Sequence, residues 1–392
     1  MPRFLHPLPV VPQHPTSILP DLEAAIAGGA TFAPLPGGRS NTDRARADLL
    51  TATFKVGSAI DPDVALVVAT SGSTGRPKGS LLTPHNLVSS ADATHQALGG
   101  EGAWLLSMPG HHIAGLQVMV RSIVAGYQPE AIDVSGGFSI PAFAAAATAL
   151  RRRIPSQVPC YTALVPLQLA KALDTLVGID ALRLFNAVLI GGGPMDPQLR
   201  HAAQELGVNI VHTYGSSETS GGLVYDGLPL PGARVKATSG RILLAGPMVA
   251  KGYRNADSSC FQDGWYTTSD AGRIVNGKLL VVGRVDTVIS TGGLKLQPEE
   301  IERAMSQISG VDAACVVGLP HPRLGTEVCA AYTGTASITT ILSALSDRPR
   351  WQLPRHMLRL ESMPLTGPGK IDRQEVATLV DADRTRRRQD RR

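Results

Sequence analysis

Short apolar runs alternate with helical patterns through the middle of the chain, between residues 64 and 214. The runs at 64–69, 104–108, 187–190 and 208–212 predict buried strands, and the segments at 116–125, 139–153, 161–173 and 196–207 predict helices. This alternation favours a mostly parallel sheet flanked by helices, with ligands bound at the carboxyl ends of the strands.

The pattern changes on both sides of this region. Residues before about 60 are rich in proline and glycine, with one predicted helix at 22–27, and residues 221–283 read as short strands with many turns. A smaller α+β unit follows. The predicted fold class is therefore α/β, with a large N-terminal domain (1–284) of helix-flanked, mostly parallel sheets and a β-rich subdomain, and a small C-terminal domain (285–380).

The composition is that of a large globular protein and says little about its function. The 392 residues are 43% apolar, enough for a substantial core, and no apolar run reaches the ~18 residues of a membrane span. The N-terminus has no signal-peptide core. The four cysteines have neither metal nor disulfide-framework spacing, which favours a reducing cytoplasm.

The net charge of +5 is local to the C-terminus. Residues 384–392 hold six arginines and one aspartate, so the rest of the chain is neutral. A terminal basic run is usually solvated, and we predict a disordered tail at 381–392 and no nucleic-acid partner.

A loop dense in glycines and hydroxyls follows the first apolar run, with the sequence Thr70-Ser-Gly-Ser-Thr-Gly-Arg-Pro-Lys-Gly79. Glycines let backbone N–H groups turn toward a phosphate, and a lysine adds a point charge. It is not a Walker loop, because no Gly-Lys-Ser/Thr stands at the required spacing. Composition alone leaves a flexible surface loop equally open.

The order of these residues resembles the phosphate-binding signature of the acyl-adenylate-forming (AMP-binding) enzymes. That superfamily includes acid–CoA ligases, peptide-synthetase adenylation domains and luciferases, and the resemblance covers nearly all of residues 60–375. It implies that the C-terminal domain is mobile and serves two half-reactions in turn. It also implies that the phosphates of ATP contact Thr70, Ser71, Gly72, Ser73, Thr74, Gly75 and Lys78.

Two downstream motifs match the adenine side of the family's site. Alone, Gly191-Gly192-Gly193-Pro194 would indicate an ordinary strand-to-helix turn; the resemblance implies that it lies against adenine, where glycines permit close approach. Tyr214 and Gly215 open a Tyr-Gly-Ser-Ser-Glu segment, and the resemblance implies that the tyrosine stacks near adenine.

The same segment continues into Ser217 and Glu218. The resemblance implies that the Ser217 hydroxyl faces the phosphates and the acyl carbonyl. Glu218 is implied to help hold Mg²⁺, which prefers hard oxygen ligands, phosphates among them. A surface carboxylate is the alternative interpretation of Glu218.

The segment ending in Asp270 resembles the family's Thr-Gly-Asp motif, with Ser269 in place of the glycine. Asp270 is implied to accept hydrogen bonds from both ribose hydroxyls. Arg284 is implied to contact the ribose, and Asp286 to stand at the hinge between the domains.

Two further loops match the family's C-terminal domain. Gly292 and Gly293 are implied to line the tunnel for the pantetheine of coenzyme A, although taken alone they indicate a hairpin turn. Lys370 follows two glycines in a Gly-Pro-Gly-Lys segment and is implied to be the adenylation lysine, bridging the substrate carboxylate and the α-phosphate. Alone it would be read as a solvated lysine.

The acid is indicated by weaker signals. His112 matches a family histidine that borders the acyl site, with a packed histidine near a turn as the alternative. Residues 161–169 resemble a segment of the o-succinylbenzoate–CoA ligases of menaquinone biosynthesis, and the short region before the phosphate loop resembles actinobacterial members. Arg121 and Arg151–Arg153 are candidate cations for the second carboxylate of that acid, with solvated helix surface as the preferred interpretation.

The resemblance thus implies an ATP-dependent, Mg²⁺-requiring acid–CoA ligase acting through an acyl-AMP intermediate, with coenzyme A as co-substrate. Three alternatives remain: a ligase or adenylation enzyme for another aryl or fatty acid, a domain that loads a carrier protein, and an inactive nucleotide-binding relic. The absence of a carrier module after residue 380 weakens the second. Intact Lys78, Glu218, Asp270, Arg284 and Lys370 weaken the third. A homodimer is expected only because dimers are common in the family.

Overall fold

The computed structural model describes residues 2–70, 77–366 and 370–389. The chain forms two compact units that interleave in sequence. The larger comprises Met1–Thr238, Leu243–Thr268 and Ile274–Leu279, and the smaller comprises Ser239–Ile242, Ser269–Arg273 and Leu280–Arg392. The domain boundary after Arg284 stays a prediction.

The first sheet of the larger unit is five-stranded, with the order β3-β1-β2-β4-β5. Its strands are β1 (Arg3–Val10), β2 (Thr31–Pro36), β3 (Ala59–Ile60), β4 (Leu66–Ala69) and β5 (Gly79–Leu82). β1, β2 and β4 are parallel, whereas β3 and β5 pair antiparallel at the two edges. The proline-rich N-terminal region therefore contributes two full strands that its composition did not reveal.

The second sheet has seven strands in the order β12-β11-β10-β9-β8-β6-β7. They are β6 (Ala103–Leu106), β7 (Glu130–Ala131), β8 (Cys160–Leu164), β9 (Ala187–Ile190), β10 (Ile210–Ser216), β11 (Gly221–Tyr225) and β12 (Leu228–Pro229). Five neighbouring strands are parallel, as predicted: β10, β9, β8, β6 and β7. β11 and β12 extend the sheet as antiparallel strands.

In the described part of the larger unit, eight α-helices connect these strands. They are α1 (Leu19–Ile26), α2 (Asn41–Phe54), α3 (Pro84–Leu98), α4 (Ile113–Ala125), α5 (Ile140–Arg153), α6 (Pro166–Leu173), α7 (Leu176–Leu182) and α8 (Pro197–Glu205). The predicted starts at Thr83 and Asp196 are confirmed, because each side chain accepts a hydrogen bond from an N–H in the first turn. The helix predicted at 161–173 is wrong for 161–164, which form the buried strand β8.

The smaller unit follows a β-rich stretch through which the division between the units passes. The strands of that stretch are β13 (Arg234–Thr238), β14 (Arg241–Ala245), β15 (Phe261–Gln262), β16 (Trp265–Val275) and β17 (Lys278–Arg284). The remaining elements are β18 (Ile289–Thr291), β19 (Leu294–Leu296), α9 (Pro298–Ser306), β20 (Val311–His321), β21 (Gly325–Gly334), α10 (Ile338–Ala344), β22 (His356–Arg359) and α11 (Arg373–Gln389).

The prediction of a disordered tail from 381 is wrong for residues 381–389, which continue α11. Arg384 is only 9% exposed and pairs with Glu327 and Asp381, at 2.5 Å each. Asp383 accepts from His356 at 2.9 Å and pairs with Arg387 one turn later. These ion pairs fasten the basic run to the smaller unit. No helix in the described ranges is both long and apolar enough to cross a membrane.

Candidate active site

The ends of the predicted phosphate loop are brought together by the hairpin-like pairing of β4 and β5. Ala69 lies opposite Gly79, and the Thr70 N–H donates to the carbonyl of Lys78 at 2.8 Å. Thr70 is buried. The predicted phosphate ligands Ser71, Gly72, Ser73, Thr74 and Gly75 lie outside the described residues, so the structure places the loop's two ends.

A segment far along the chain, Gly252–Asn255, braces the far end of this loop; we call it the brace. The side chain of Asn255 accepts from the Gly79 N–H at 2.9 Å and donates to the Pro77 carbonyl at 3.0 Å. The Arg254 N–H donates to the Gly79 carbonyl at 2.8 Å, and the Leu81 N–H to the Gly252 carbonyl at 2.9 Å. The position of Lys78, beside these contacts, is thereby fixed by residues about 175 positions later.

Ser217 and Glu218 lie against the near end of the loop. The Ser217 hydroxyl donates to the Ala69 carbonyl at 3.0 Å, and Glu218 Oε1 accepts from the Tyr253 hydroxyl at 2.8 Å. The ammonium of Lys78 lies 4.9 Å from the centroid of the same tyrosine ring. Tyr253 therefore joins the lysine and the carboxylate, and Glu218 is a buried group rather than a surface carboxylate, at 6% exposure.

The electrostatics keep this tyrosine a hydrogen-bond donor. Burial raises the pKa of Tyr253, and the negative charge of Glu218 raises it further. A phenol that stays protonated must donate, so it fixes one carboxylate oxygen of Glu218 and leaves the other for further contacts.

The two adenine-side motifs meet at Thr213. A Cβ at Gly191 would lie 2.4 Å from Thr213 Oγ1, and a Cβ at Gly215 would lie 2.0 Å from the carbonyl oxygen of Gly221. Gly192 has a φ of +80°, which favours glycine. The structure therefore brings Gly191–Pro194 beside Tyr214 and Gly215, and the glycines at 191 and 215 are required by packing within the protein itself.

His112 lies at the start of α4, where a tight turn precedes it. A Cβ at Gly115 would lie 2.5 Å from the Pro109 carbonyl oxygen, so the turn folds back on the helix. The rings of His111 and His112 lie 4.1 Å apart, and burial lowers the pKa of His111 to about 4. His112 is half-buried. This geometry fits a packed histidine as well as one that borders a substrate.

Three predicted ribose and hinge residues of the smaller unit form one charged group. Arg284 donates to both oxygens of the Asp286 carboxylate, at 2.8 and 2.6 Å. Its guanidinium also lies 3.6 Å from Asp270 Oδ1. Asp270 and Asp286 are thus held by the same arginine.

Two predicted loops of the smaller unit remain. Gly292 and Gly293 have φ of +57° and +81° between Thr291 and Leu294, which pair with each other. This confirms the hairpin turn, with the positive φ angles that such a turn needs. The carbonyl of Lys370 accepts from the Thr366 N–H at 2.6 Å. Residues 367–369 lie outside the described part of the chain.

The sequence matches a family model described as AMP-binding enzyme over residues 31–254. The chain belongs to the AMP-binding enzyme family. It is 44% identical over 336 residues to the "Probable 2-succinylbenzoate–CoA ligase" of Mycobacterium tuberculosis H37Rv, covering 83% of this chain and 86% of that protein. It is 30% identical over 390 residues to the 2-succinylbenzoate–CoA ligase of Escherichia coli K12, covering 95% and 82%.

The fold of this AMP-binding enzyme also matches a solved structure, o-succinylbenzoate CoA synthetase of Bacillus subtilis in complex with the acyl-adenylate intermediate OSB-AMP. The TM-score is 0.77 at 22% identity, over 95% of this chain and 88% of that one. The predicted family and fold class are confirmed. The roles given to individual site residues stay predictions.

Sequence reasoning missed the brace, whose contacts with β5 are too distant along the chain to be visible in a local pattern. The only signal was a Gly-Tyr pair in a turn-rich stretch. It also misread Arg121, which we interpreted as solvated helix surface. Arg121 is 3% exposed, with its guanidinium 5.0 Å from the Trp104 ring, because it belongs to the buried part of α4, residues 115–122.

The arginines at 151–153 do lie at the end of α5. Arg151 donates to the carbonyls of Val158 and Ile154, at 2.9 Å each, and Arg153 pairs with Glu130 at 3.3 Å. These contacts tie the end of α5 to the loop that follows it and to β7.

Proposed function

We propose that this AMP-binding enzyme is a 2-succinylbenzoate–CoA ligase that acts in menaquinone biosynthesis. The observation that carries the proposal is the 44% identity to the M. tuberculosis protein over 83% of this chain. The E. coli relative with the same named activity supports it over 95% of the chain. We further propose a cytoplasmic enzyme; the four cysteines are free, which suits a reducing compartment.

The first half-reaction joins the acid to AMP. A carboxylate oxygen of the acid attacks the α-phosphorus of ATP, the bond to the bridging oxygen breaks, and pyrophosphate leaves. Thr70, the loop residues 71–75 and Lys78 bind the phosphates. The Ser217 hydroxyl lies at the Thr70 end of the loop. Lys370 bridges the carboxylate of the acid and the α-phosphate, which stabilises charge in the transition state.

Four motifs supply the proposed contacts of the nucleoside. Gly191–Pro194 and Tyr214 with Gly215 contact adenine, and Asp270 with Arg284 contacts the ribose hydroxyls. The Arg284 guanidinium already spans Asp270 and Asp286. A prearranged charged group of this kind lowers the cost of ordering side chains on binding.

The donor set fits a magnesium ion bound mainly by phosphate. In the part of the chain that the structure describes, no three acidic, histidine or cysteine side chains cluster to form a metal site. A single carboxylate, Glu218, is the protein ligand that such an ion needs, since Mg²⁺ keeps water and phosphate oxygens around it. When bound, the ion would neutralise charge on the leaving pyrophosphate.

The second half-reaction releases AMP. The thiol of coenzyme A loses its proton and attacks the acyl carbon, and the acyl–phosphate oxygen bond breaks. Gly292 and Gly293 line the path of the pantetheine arm, and His112 borders the acyl group. Asp286 stands at the hinge of the mobile domain.

A turnover assay with ATP, Mg²⁺ and coenzyme A tests the proposal. The acids are 2-succinylbenzoate, benzoate, 4-coumarate and medium-chain fatty acids, and acyl-CoA is read by mass spectrometry. We expect product from 2-succinylbenzoate alone. Product from another acid instead would overturn the substrate and pathway and keep the ligase chemistry.

Two lysine variants, compared with each other, test the proposed adenylation step. Lys370→Ala should abolish adenylation and leave ATP binding largely intact, whereas Lys278→Ala, at an exposed site on β17, should match the wild type. Adenylation by Lys370→Ala at the wild-type rate would refute the role of this lysine. A wild type inert with every acid would favour a nucleotide-binding relic.

A further inference from the structure

A half-buried ion pair anchors the start of α11 in the smaller unit. Arg373 donates to both oxygens of Glu302, at 2.5 and 2.7 Å, and to the Val316 carbonyl at 3.0 Å. The Val316 N–H completes the group by donating to Glu302 at 2.7 Å. Arg373 is thus fixed to both α9 and β20.

Lys370 stands three residues before this anchor. Between them, the Asp372 N–H donates to the Pro364 carbonyl at 2.9 Å, and Ile371 pairs with Leu365. The Asp372 side chain caps α11 by accepting from the N–H groups of Gln374 and Glu375, at 3.1 Å each. The backbone at Lys370 is therefore tied to Arg373 by a short, hydrogen-bonded connection.

A second carboxylate extends the anchor toward Arg284. Glu299 Oε1 lies 3.4 Å from the Arg373 guanidinium, and Glu299 Oε2 accepts from the Gln297 amide at 2.9 Å. The same Gln297 amide nitrogen donates its other proton to the Arg284 carbonyl at 2.8 Å. The hydroxyl of Thr287 lies 3.1 Å from both Glu299 Oε1 and the Arg284 carbonyl oxygen.

The backbone leaves room for this arrangement at one glycine. A Cβ at Gly283 would lie 2.2 Å from the Gln297 amide nitrogen and 2.6 Å from Glu299 Oε2. Any other residue would displace both side chains. The close approach of Gln297 and Glu299 therefore explains why residue 283 is a glycine, without reference to any ligand.

We infer that Glu299 is a positioning residue that holds the Arg284 backbone and the Lys370 segment in one arrangement for the adenylation step, through Gln297, Thr287 and Arg373. The inference rests on the proposed function, in which Arg284 contacts the ribose and Lys370 contacts the α-phosphate of the same ATP. Two groups that act on one nucleotide must keep their separation while adenylation takes place, since small misplacements are costly in rate.

Glu299→Gln tests this with little change of shape. The amide that replaces one carboxylate oxygen cannot accept, so it loses a bond from Gln297, Thr287 or Arg373. Thr287→Val is the milder second variant. The controls are Glu361→Gln, at an exposed site of the same unit, and Thr378→Val, whose hydroxyl donates to the Gln374 carbonyl within α11. None of the four removes a residue that we place against substrate.

The two half-reactions are measured separately, by 2-succinylbenzoate-dependent ATP–pyrophosphate exchange and by thioester formation from supplied acyl-adenylate and coenzyme A. For Glu299→Gln we expect the exchange rate to fall about tenfold and thioester formation to stay within about twofold of wild type, because Lys370 is proposed to act only in adenylation. Both controls should keep both rates, and the unfolding midpoint of Glu299→Gln should stay near theirs.

A parallel fall of both half-reactions with a lowered unfolding midpoint would assign Glu299 a structural role and overturn the inference. Exchange at the wild-type rate in both Glu299→Gln and Thr287→Val would overturn it as well. A wild type that forms no acyl-adenylate would instead overturn the proposed function, and this inference with it.

Discussion

The hydroxyl of Tyr253 donates to Glu218 Oε1 at 2.8 Å, while the ring of the same tyrosine lies 4.9 Å from the Lys78 ammonium. One side chain thus sets the positions of two groups proposed to meet the phosphates, a cation and a carboxylate. Tyr253 and Glu218 are both more than nine-tenths buried, so little water can replace the bond if it is lost.

Removing the hydroxyl should impair both adenylation and stability. In Tyr253→Phe we expect the exchange rate to fall about tenfold and the free energy of unfolding to fall by about 1–2 kcal/mol, since a buried carboxylate oxygen loses its donor. The measurements are pyrophosphate exchange and urea unfolding.

Tyr161→Phe is the matched control. Its hydroxyl, also in the larger unit, donates to the carbonyls of Leu98 and Gly100, at 3.2 and 3.1 Å. It should lose similar stability and keep its exchange rate. Equal exchange rates in the two variants would show that Tyr253 does not position Glu218 for catalysis.

Substitutions at two glycines of the proposed adenine site distinguish a role in protein packing from a role in ligand contact. Gly215→Ala places a Cβ 2.0 Å from the Gly221 carbonyl oxygen, so we expect a loss of about 3 kcal/mol of unfolding free energy. At Gly193 a Cβ would meet no protein atom within 4 Å. Gly193→Ala should therefore keep its stability within about 0.5 kcal/mol and raise the KM for ATP, because the methyl group enters the proposed adenine site.

Chemical unfolding and ATP titrations of both variants check this. An unchanged KM in Gly193→Ala would move adenine away from this loop. A stable Gly215→Ala protein would mean that β10 and β11 can separate locally, contrary to the close approach of their backbones.

The sequence predicted the elements whose signals are local. The cap at Thr83 with Pro84 and Asn86 marks the start of α3, and the structure has the full capping box. The order of glycines and hydroxyls from Thr70 to Gly79 identified the family correctly. Features of this kind need no information from distant parts of the chain.

The elements that the sequence did not predict escaped prediction for physical reasons. β1 holds Pro7 and Pro9, which argue against a strand, yet its short neighbour β3 pairs only with Arg3 and Phe4, so the prolines face an unpaired edge. All five residues of β8 (Cys160–Leu164) are buried, so the strand lacks the alternation of polar and apolar residues that marks a half-exposed strand. The brace depends on pairing across the chain, and no local pattern reveals it.

The buried Arg121 and Arg384 should respond in opposite ways to replacement by methionine. Within residues 2–70, 77–366 and 370–389, Arg121 has no ion pair and rests on the Trp104 ring, whereas Arg384 is bound to Glu327 and Asp381. Desolvating a guanidinium costs several kcal/mol, more than the ~2 kcal/mol of a buried cation–π contact.

We therefore expect Arg121→Met to raise the free energy of unfolding by about 1–3 kcal/mol and Arg384→Met to lower it by about 3–5 kcal/mol, since the latter removes the arginine that pairs with the buried Glu327 at 2.5 Å. Urea unfolding of both variants measures this. Equal destabilisation by the two substitutions would contradict the assignment of Arg121 as an uncompensated charge.

Stability should fall as the pH is lowered from 6.5 toward 4, in part because of His95. Burial, and to a smaller extent the nearby charge of Arg121, lower the pKa of His95 from 6.5 to about 4. The ring accepts from the Trp104 N–H at 3.4 Å, which suits its neutral form. Below pH 6.5 the unfolded chain binds a proton that the folded protein refuses, so unfolding is favoured; above pH 6.5 the effect vanishes.

His95→Gln should flatten this part of the stability curve, by about 1–3 kcal/mol between pH 7 and 4, while His201→Gln, on an exposed side chain, should leave it unchanged. Urea unfolding at several pH values gives the slope. His111, whose pKa is also lowered to about 4 by burial, should leave a residual slope of the same sign in the His95 variant. A curve identical to wild type in His95→Gln would mean that His95 is protonated in the folded protein near its ordinary pKa, and that the charge of Arg121 does not act on it.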